Sequence, residues 1–403
     1  MTISNNIVTH AGTQHIGSMT VSTPKAIIGP IAVSVAFVME LTLVPLLLPE
    51  IQNEFGLSLS QMAWVFNSYG IAVAVGVLIG GWLGDVGNAN RIFGIGVLFF
   101  ATGSMLVAFA GSYEALTAAR ALQGLGGGIF SPLIPILLTR ASPRQPGKVL
   151  IVWGSVAGYV ASAAPFFYSS VLNGHRWNLA FIILAVISLV ALAIVLVSRP
   201  PDAQSPSAPA IPRYTRLLRA PELWIVFGYV FCTYGAITYY LFRLPLWLAE
   251  QEVQVVSIGL NLSILWLSFS IVSTLLRNWV DEPRLKGIML AAPLFVAAGF
   301  PLAYLCNSAV CLIVASALLG TGLACSNAPS TQLVLKFAPR GMSAISASLD
   351  ITFARLGGVM TVAFLAQTTF GASVLVMIAM CLAALIFAVA ATRRLDDFEQ
   401  VTA

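Results

Sequence analysis

Twelve long apolar runs restrict this 403-residue chain more than any other feature of it. They fall at about 26–49, 63–83, 92–112, 115–138, 149–172, 178–198, 222–248, 255–276, 286–305, 309–333, 343–367 and 371–392. A helix that crosses a bilayer needs about 20 mostly apolar residues. Each run is long enough, so each reads as one crossing. Composition agrees. Only 9% of residues are charged and the mean hydropathy is +0.91, whereas a soluble domain carries about 25% charged residues. A β-barrel is excluded by pattern, because its strands alternate apolar and polar over about ten residues. These runs are continuous. The expected class is an all-α integral membrane protein.

Charge sets the orientation. Of the 20 Lys and Arg, those at 25, 91, 140, 144, 148, 199, 213, 216, 219, 277, 284, 286, 336, 340, 393 and 394 all fall on one side of a twelve-span layout. Arg176 alone falls on the other, and Arg120, Arg243 and Arg355 lie within spans. Dropping or adding a span would scramble this partition. The positive-inside rule then places both termini in the cytoplasm, and the net charge of +5 needs no nucleic-acid partner to explain it. Residues 1–25 read as a cytoplasmic tail, since they show no cleavage pattern. The segment 199–221, "RPPDAQSPSAPAIPRYTRLLRAP", is rich in Pro, Ala and Ser and reads as a cytoplasmic linker. It separates one six-helix half, 26–198, from a second, 222–392, with a cytoplasmic tail at 393–403. That layout is shared by many secondary transporters, which place a site near the midplane between halves.

No cofactor, metal site or enzymatic constellation is expected. His10 and His15 sit in the tail and His175 in an outer loop. Cys232, Cys306, Cys311, Cys325 and Cys381 lie in or at the ends of apolar runs and read as small core residues. No Walker sequence is present.

Ionisable residues inside spans are the functional candidates, since a charge at the bilayer centre costs at least about 2–3 kcal/mol. Glu40 stands in "VMELTLVPLLLPEI", about 21 Å from the cytoplasmic end of its span at 1.5 Å per residue. Desolvation favours the protonated form of such a carboxylate and a neighbouring guanidinium favours the ionised form. That opposition suits a proton-coupling group; the alternative is a neutral, hydrogen-bonded structural acid. Arg120, in "RALQGLGGG", keeps its proton. It must find a carboxylate, a carbonyl or water, or else reach out to the interface. Asp350 lies about 12 Å into the eleventh span. Arg243, in "LFRLPLW", either serves the site or snorkels.

Several stretches resemble the major facilitator superfamily, and in particular its drug/proton antiporters. "GWLGDVGNANR" at 81–91 is similar to the G-x-L-x-D signature, with Val86, Asn88, Ala89 and Asn90 in place of more basic residues. The resemblance implies that Gly81, Asp85 and Arg91 form a cytoplasmic gate, with Asp85 capping a helix N-terminus or pairing with Arg91. "RALQG" resembles R-x-x-Q-G, "ELTLVPLLLP" resembles D-x-T…A-L-P with Glu40 for Asp, and "SLDITFARLGG" resembles N-x-x-R-x-x-G-G. "WVFNSY" and "HRWNLAF" match further family stretches, Trp177 reading there as an interface anchor. "GSVAGYVASA", 154–163, keeps Gly154 and Gly158 of the fifth-span signature but has Tyr159 for its Pro. Pro165 would then supply the kink.

What the resemblance implies is a twelve-helix, two-half, monomeric transporter working by alternating access in an inner or plasma membrane. Its expected activity is proton-coupled export of a small organic compound: a drug-like amphiphile or a secreted metabolite such as a siderophore. Uptake of an organic anion or metabolite by the same fold is the alternative, favoured by the excess of arginines within the spans. A non-transporting sensor or membrane enzyme is a third reading. Glu40, Arg120 and Asp350 are the expected proton-coupling residues. Thr42, Asn67, Tyr69, Gln123, Tyr159 and Arg355 are the expected cavity residues. Gly124, Gly128, Gly154 and Gly158 are the expected helix-packing residues.

Overall fold

The computed structural model describes residues 24–172, 177–198, 217, 219–276, 282–305, 308–339 and 342–402. The N-terminal tail up to residue 23, most of the linker, His175 and Arg176 lie outside the described residues. Thirteen helices are described: α1 Pro24–Phe55, α2 Leu59–Val86, α3 Ala89–Ala108, α4 Tyr113–Phe130, α5 Leu133–Ala141, α6 Pro146–Leu172, α7 Trp177–Ser198, α8 Pro221–Glu250, α9 Val255–Leu276, α10 Glu282–Leu305, α11 Ala309–Phe337, α12 Ser343–Leu365 and α13 Phe370–Thr402. They supply twelve spans long and apolar enough to cross a membrane.

The helix ends follow local chemistry. Gly56 leaves α1 at φ 61°, and the Leu57 amide bonds the Gln52 carbonyl at 3.0 Å, a left-handed C-terminal cap that glycine adopts without strain. Ser58 and Gln61 then close a capping box on α2, and Ser112 and Ser308 cap α4 and α11. The fourth span is not one helix. It breaks at Ser131–Pro132 between α4 and α5, where the proline lacks an amide hydrogen and follows three consecutive glycines. Helix α13 continues to Thr402 through the segment read as a tail, and Asp396 there pairs with Lys286 near the start of α10.

Bilayer-facing character is visible on the outside, where Trp82, Phe109, Val171, Val197, Leu305, Phe364 and Leu375 are exposed. Lipid tails offer no hydrophobic drive for helix to join helix, so close contact depends on small residues. A Cβ on Gly124 would lie 2.4 Å from the Tyr69 carbonyl oxygen, and one on Gly128 2.4 Å from that of Val73. These two positions let α4 lie directly on the α2 backbone.

The halves are α1–α7 and α8–α13. The second span of each packs against the fifth of the other: α2 on α12 and α6 on α9. This reciprocity is what two halves related by a two-fold axis produce. The apolar core is asymmetric along the bundle. At the face where α2 begins and α8 ends, one core runs through both halves, joining Leu48 and Ile51 to Leu244, Ile258, Phe300 and Phe370. At the other face, which carries Arg140, Lys148, Lys336 and Arg393, the second half has a core of its own around Val226, Met289, Val334 and Ala388. The shared apolar core thus joins the halves at one face, while at the basic face they meet through small residues such as Gly81 and Ser348.

One cysteine departs from expectation. Cys311, near the start of α11 and only half-buried, is disulfide-bonded. It sits at a helix end and not in the packed core. Cys232, Cys325 and Cys381 are free thiols within spans.

Candidate functional site

Glu40 on α1 and Arg120 on α4 are both about 1% exposed, and they meet: Arg120 Nη1 donates to Glu40 Oε1 at 2.6 Å. The same Nη1 donates to Gln123 Oε1 at 2.6 Å, since residues three apart share a helix face. Gln123 Nε2 donates to Ser104 Oγ at 2.9 Å, and Ser104 Oγ donates to the Phe100 carbonyl at 2.7 Å. The guanidinium carbon lies 4.3 Å from the centre of the Tyr69 ring and 5.9 Å from that of Phe181, within range of a cation–π attraction. Arg120 is thus held by three neighbouring helices and its own, and does not reach the interface.

The pair borders a cavity of about 50 Å³ at the junction of the halves. Its walls are Glu40, Leu41, Val44, Pro45, Phe66, Asn67, Tyr69, Gly70 and Arg120 from the first half, and Thr238, Leu241, Arg355 and Val359 from the second. Asn67 Nδ2 donates across the halves to the Val359 carbonyl at 2.9 Å, and the Phe66 and Phe242 rings meet at 5.5 Å. Four polar atoms of wall residues are buried without a well-aligned hydrogen bond among the described residues, Glu40 Oε2, Asn67 Oδ1, Tyr69 Oη and Arg120 Nε, and of these the Tyr69 hydroxyl approaches the Glu40 carboxylate. Buried polar groups are normally satisfied, so this concentration distinguishes the cavity from the surrounding core. Glu40 and Arg120 neutralise each other, while Arg355 is half-buried and has no hydrogen-bond or ion-pair partner among the described residues.

Other expected residues stand elsewhere. Thr42 is buried against its own helix, donating to the Met39 carbonyl at 3.2 Å, and does not line the cavity. Gln123 stands behind Arg120 as its support. Tyr159 is 72% exposed on α6 and turned out of the site. Gly154 faces open space, whereas a Cβ on Gly158 would come within 2.9 Å of Ser270 Oγ on α9. Asp350 is absent from the cavity wall, and its Oδ1 is buried without a partner among the described residues. Arg243 does not snorkel. It is 4% exposed and grips the Glu250 carboxylate with Nη1 at 2.9 Å and Nη2 at 3.3 Å. Trp177 is buried too, donating its Nε1–H to Glu54 and lying against Phe55, so it is a core residue and not an interface anchor.

At the α2–α3 turn the cap on α3 is Asn88, whose Oδ1 accepts from the Asn90 and Arg91 amides at 3.0 and 3.1 Å. The Asp85 side chain, expected to cap this helix or pair with Arg91, lies outside the described residues. Arg91 is exposed, and a Cβ on Gly81 would lie 3.1 Å from Ser348 Oγ on α12.

Sequence reasoning missed Ser104, Phe66, Thr238, Leu241 and Val359. Ser104 and Thr238 had a weak signal, a hydroxyl amid an apolar run. Phe66, Leu241 and Val359 had none, because an apolar residue facing a cavity is indistinguishable by type from one facing lipid.

Residues 31–362 match the Major Facilitator Superfamily. Among characterised proteins, the chain is 33% identical over 183 residues to the tetracenomycin C resistance and export protein of Streptomyces glaucescens, covering 44% of this chain and 34% of that protein. It is 30% identical to multidrug resistance protein 3 of Bacillus subtilis, covering 43% and 34%. Against the multidrug export protein EmrB of Haemophilus influenzae it is 30% identical, covering 40% and 31%. The matched regions thus span about a third of each relative's length.

Proposed function

Because the chain belongs to the Major Facilitator Superfamily, we propose that it is a transporter that exports a small organic compound in exchange for protons. The observation that carries this reading is the buried Glu40–Arg120 pair at the edge of the cavity between the halves, with the Tyr69 hydroxyl approaching the Glu40 carboxylate. An ionised Glu40 is held by Arg120. A proton on Glu40 removes its charge and weakens that hold, while Arg120 stays cationic. An ionised Glu40 accepts the compound's hydrogen-bond donors and a protonated one no longer does, so proton and compound compete for that carboxylate, which is the simplest coupling of two fluxes. Gln123 and Ser104 keep Arg120 in place through the cycle.

The relatives named for export favour outward movement. The basic face lacks the apolar core shared by the two halves, which suits it to be the face at which they part during transport. The positive-inside rule makes that face cytoplasmic, in an inner or plasma membrane, with both termini on the same side. Gly81, Asp85 and Arg91 would serve there as the gate, and Asp350 would be the second proton-carrying candidate. The compound is a drug-like amphiphile or a secreted metabolite, a chelator such as a siderophore included.

The test uses everted vesicles holding the chain, energised to an acidic interior and monitored with a pH-sensitive dye. Compounds from a drug panel that are transported will release protons from wild type and not from Glu40→Gln. Equal release from both would place the coupling proton elsewhere, Asp350 first, and return Glu40 to a structural acid.

A further inference from the structure

The charges around the cavity do not balance. Glu40 is matched by Arg120 at 2.6 Å. Arg243, on the outer half of α8, is matched by Glu250. Arg355 on α12 reaches the cavity wall with no such match among the described residues. The nearest acid on its helix is Asp350. Five residues place it about 7.5 Å back along the axis and well round the helix, and it neither pairs with Arg355 nor lines the cavity. A guanidinium within the depth of a bilayer is costly and calls for a counter-charge. Beside it the wall offers a buried acceptor without a donor, Asn67 Oδ1, and the Glu40 carboxylate, which the Tyr69 hydroxyl approaches, with apolar surface from Phe66, Leu241 and Val359. A cationic compound would meet Glu40 already neutralised and Arg355 uncompensated. An anionic one supplies what is missing.

We infer that the transported compound is an organic anion, a carboxylate, phenolate or sulfonate, whose charged group is taken by Arg355. Its hydrogen-bond donors face Asn67 Oδ1 and Glu40 Oε2, and its apolar body lies along Phe66, Leu241 and Val359. Arg355 then sets charge selectivity, and the anion bridges the halves from α12 to α1 and α2. This assignment rests on the transporter reading and names its substrate class.

The experiment compares three probes of one ring system: 1-naphthoate, the neutral 1-naphthamide and the cationic 1-naphthylmethylammonium. Their binding to the full chain in detergent is measured by equilibrium dialysis. Wild type should bind naphthoate at least about 10-fold tighter than the amide, the range of a charge-assisted hydrogen bond. Arg355→Gln should lower naphthoate affinity about 10- to 100-fold and leave the amide unmoved; Arg355→Lys should recover part of the loss. Wild-type selectivity needs no variant, so a poorly folding Arg355→Gln does not shield the inference. Equal binding of the three probes, tightest binding of the cation, or no binding of naphthoate would each overturn it. Transport in proteoliposomes separates the two readings. Movement of the amide or cation without naphthoate would keep the transporter and sink the anion site. Arg355-dependent naphthoate binding with no probe moved would keep the site and sink transport.

Discussion

Taking the Glu40–Arg120 pair apart one charge at a time will show how much each half of it depends on the other. At 2.6 Å, with side chains only 1–2% exposed, the Coulomb attraction is about 6 kcal/mol at an effective dielectric constant near 20. Desolvation of the two ions offsets several kcal/mol for each, so the net contribution of the intact pair is small. Removing one partner is different, because the remaining charge is still buried. Arg120→Gln leaves the Glu40 carboxylate without a cation and should destabilise the fold by about 3–5 kcal/mol. Glu40→Gln leaves Arg120 with the Gln123 oxygen and the Tyr69 face, and should cost less, about 1–3 kcal/mol. The double variant buries no charge and should cost less than the sum, giving a coupling energy of about 1–3 kcal/mol in a double-mutant cycle. Unfolding by SDS titration in mixed micelles measures all four proteins. Additive losses, with coupling within about 0.3–0.5 kcal/mol of zero, would refute the premise that the two charges meet in the populated state.

Packing and topology give further expectations. Gly128→Leu should abolish folded, monodisperse protein on size exclusion, since its Cβ would start 2.4 Å from a backbone oxygen, while Gly154→Leu, in open space, should leave yield unchanged. Ser104→Ala removes the hydroxyl that Gln123 bonds and should lower the unfolding free energy by about 1 kcal/mol, whereas Ser104→Thr, which keeps an acceptor, should recover part of it. In a cysteine-free background, Cys introduced at position 205 should react with an impermeant maleimide only from the cytoplasm and Cys at 174 only from outside; the reverse would overturn the orientation. Arg243→Leu should leave Glu250, 44% exposed, free to solvate, so transport and its pH dependence should be less affected than by Arg355→Leu in a side-by-side flux assay.

The span count was legible because bilayer thickness imposes one length on every crossing, and twelve runs met it. The break at Ser131–Pro132 was not, because a run of apolar residues reads the same whether one helix or two carry it. Glu40, Arg120 and Arg355 stood out because charge is rare in these spans, and the structure brings all three to one cavity. Charge alone did not say which arginine was spare. The sequence leaves Arg243 open between serving the site and snorkelling, and Glu250, a full seven residues on, holds it in neither role. Trp177 failed for a similar reason: its position at a span end suited an anchor, but Glu54 on another helix accepts its indole hydrogen. Pairings between helices depend on azimuth, which a single sequence leaves open.

The asymmetry of the core bears on how such a bundle can move. In lipid, apolar contact between the halves competes with equally apolar tails, so burying more Leu and Phe does little to favour one face closing over the other. Polar contacts decide instead. At the cavity, Asn67 already reaches the Val359 carbonyl from the opposite half. The Asn67 oxygen, the Glu40 carboxylate and the unmatched Arg355 lie beside it. A ligand that satisfies groups on α1, α2 and α12 at once binds best when those helices are near, and so favours the conformers in which the halves are drawn together about it. A ligand moves such an equilibrium only by its differential affinity for the two states. Arg355 is therefore a place where binding energy can be converted into motion: an anion bound there contributes to closure in proportion to how many first-half groups it also reaches.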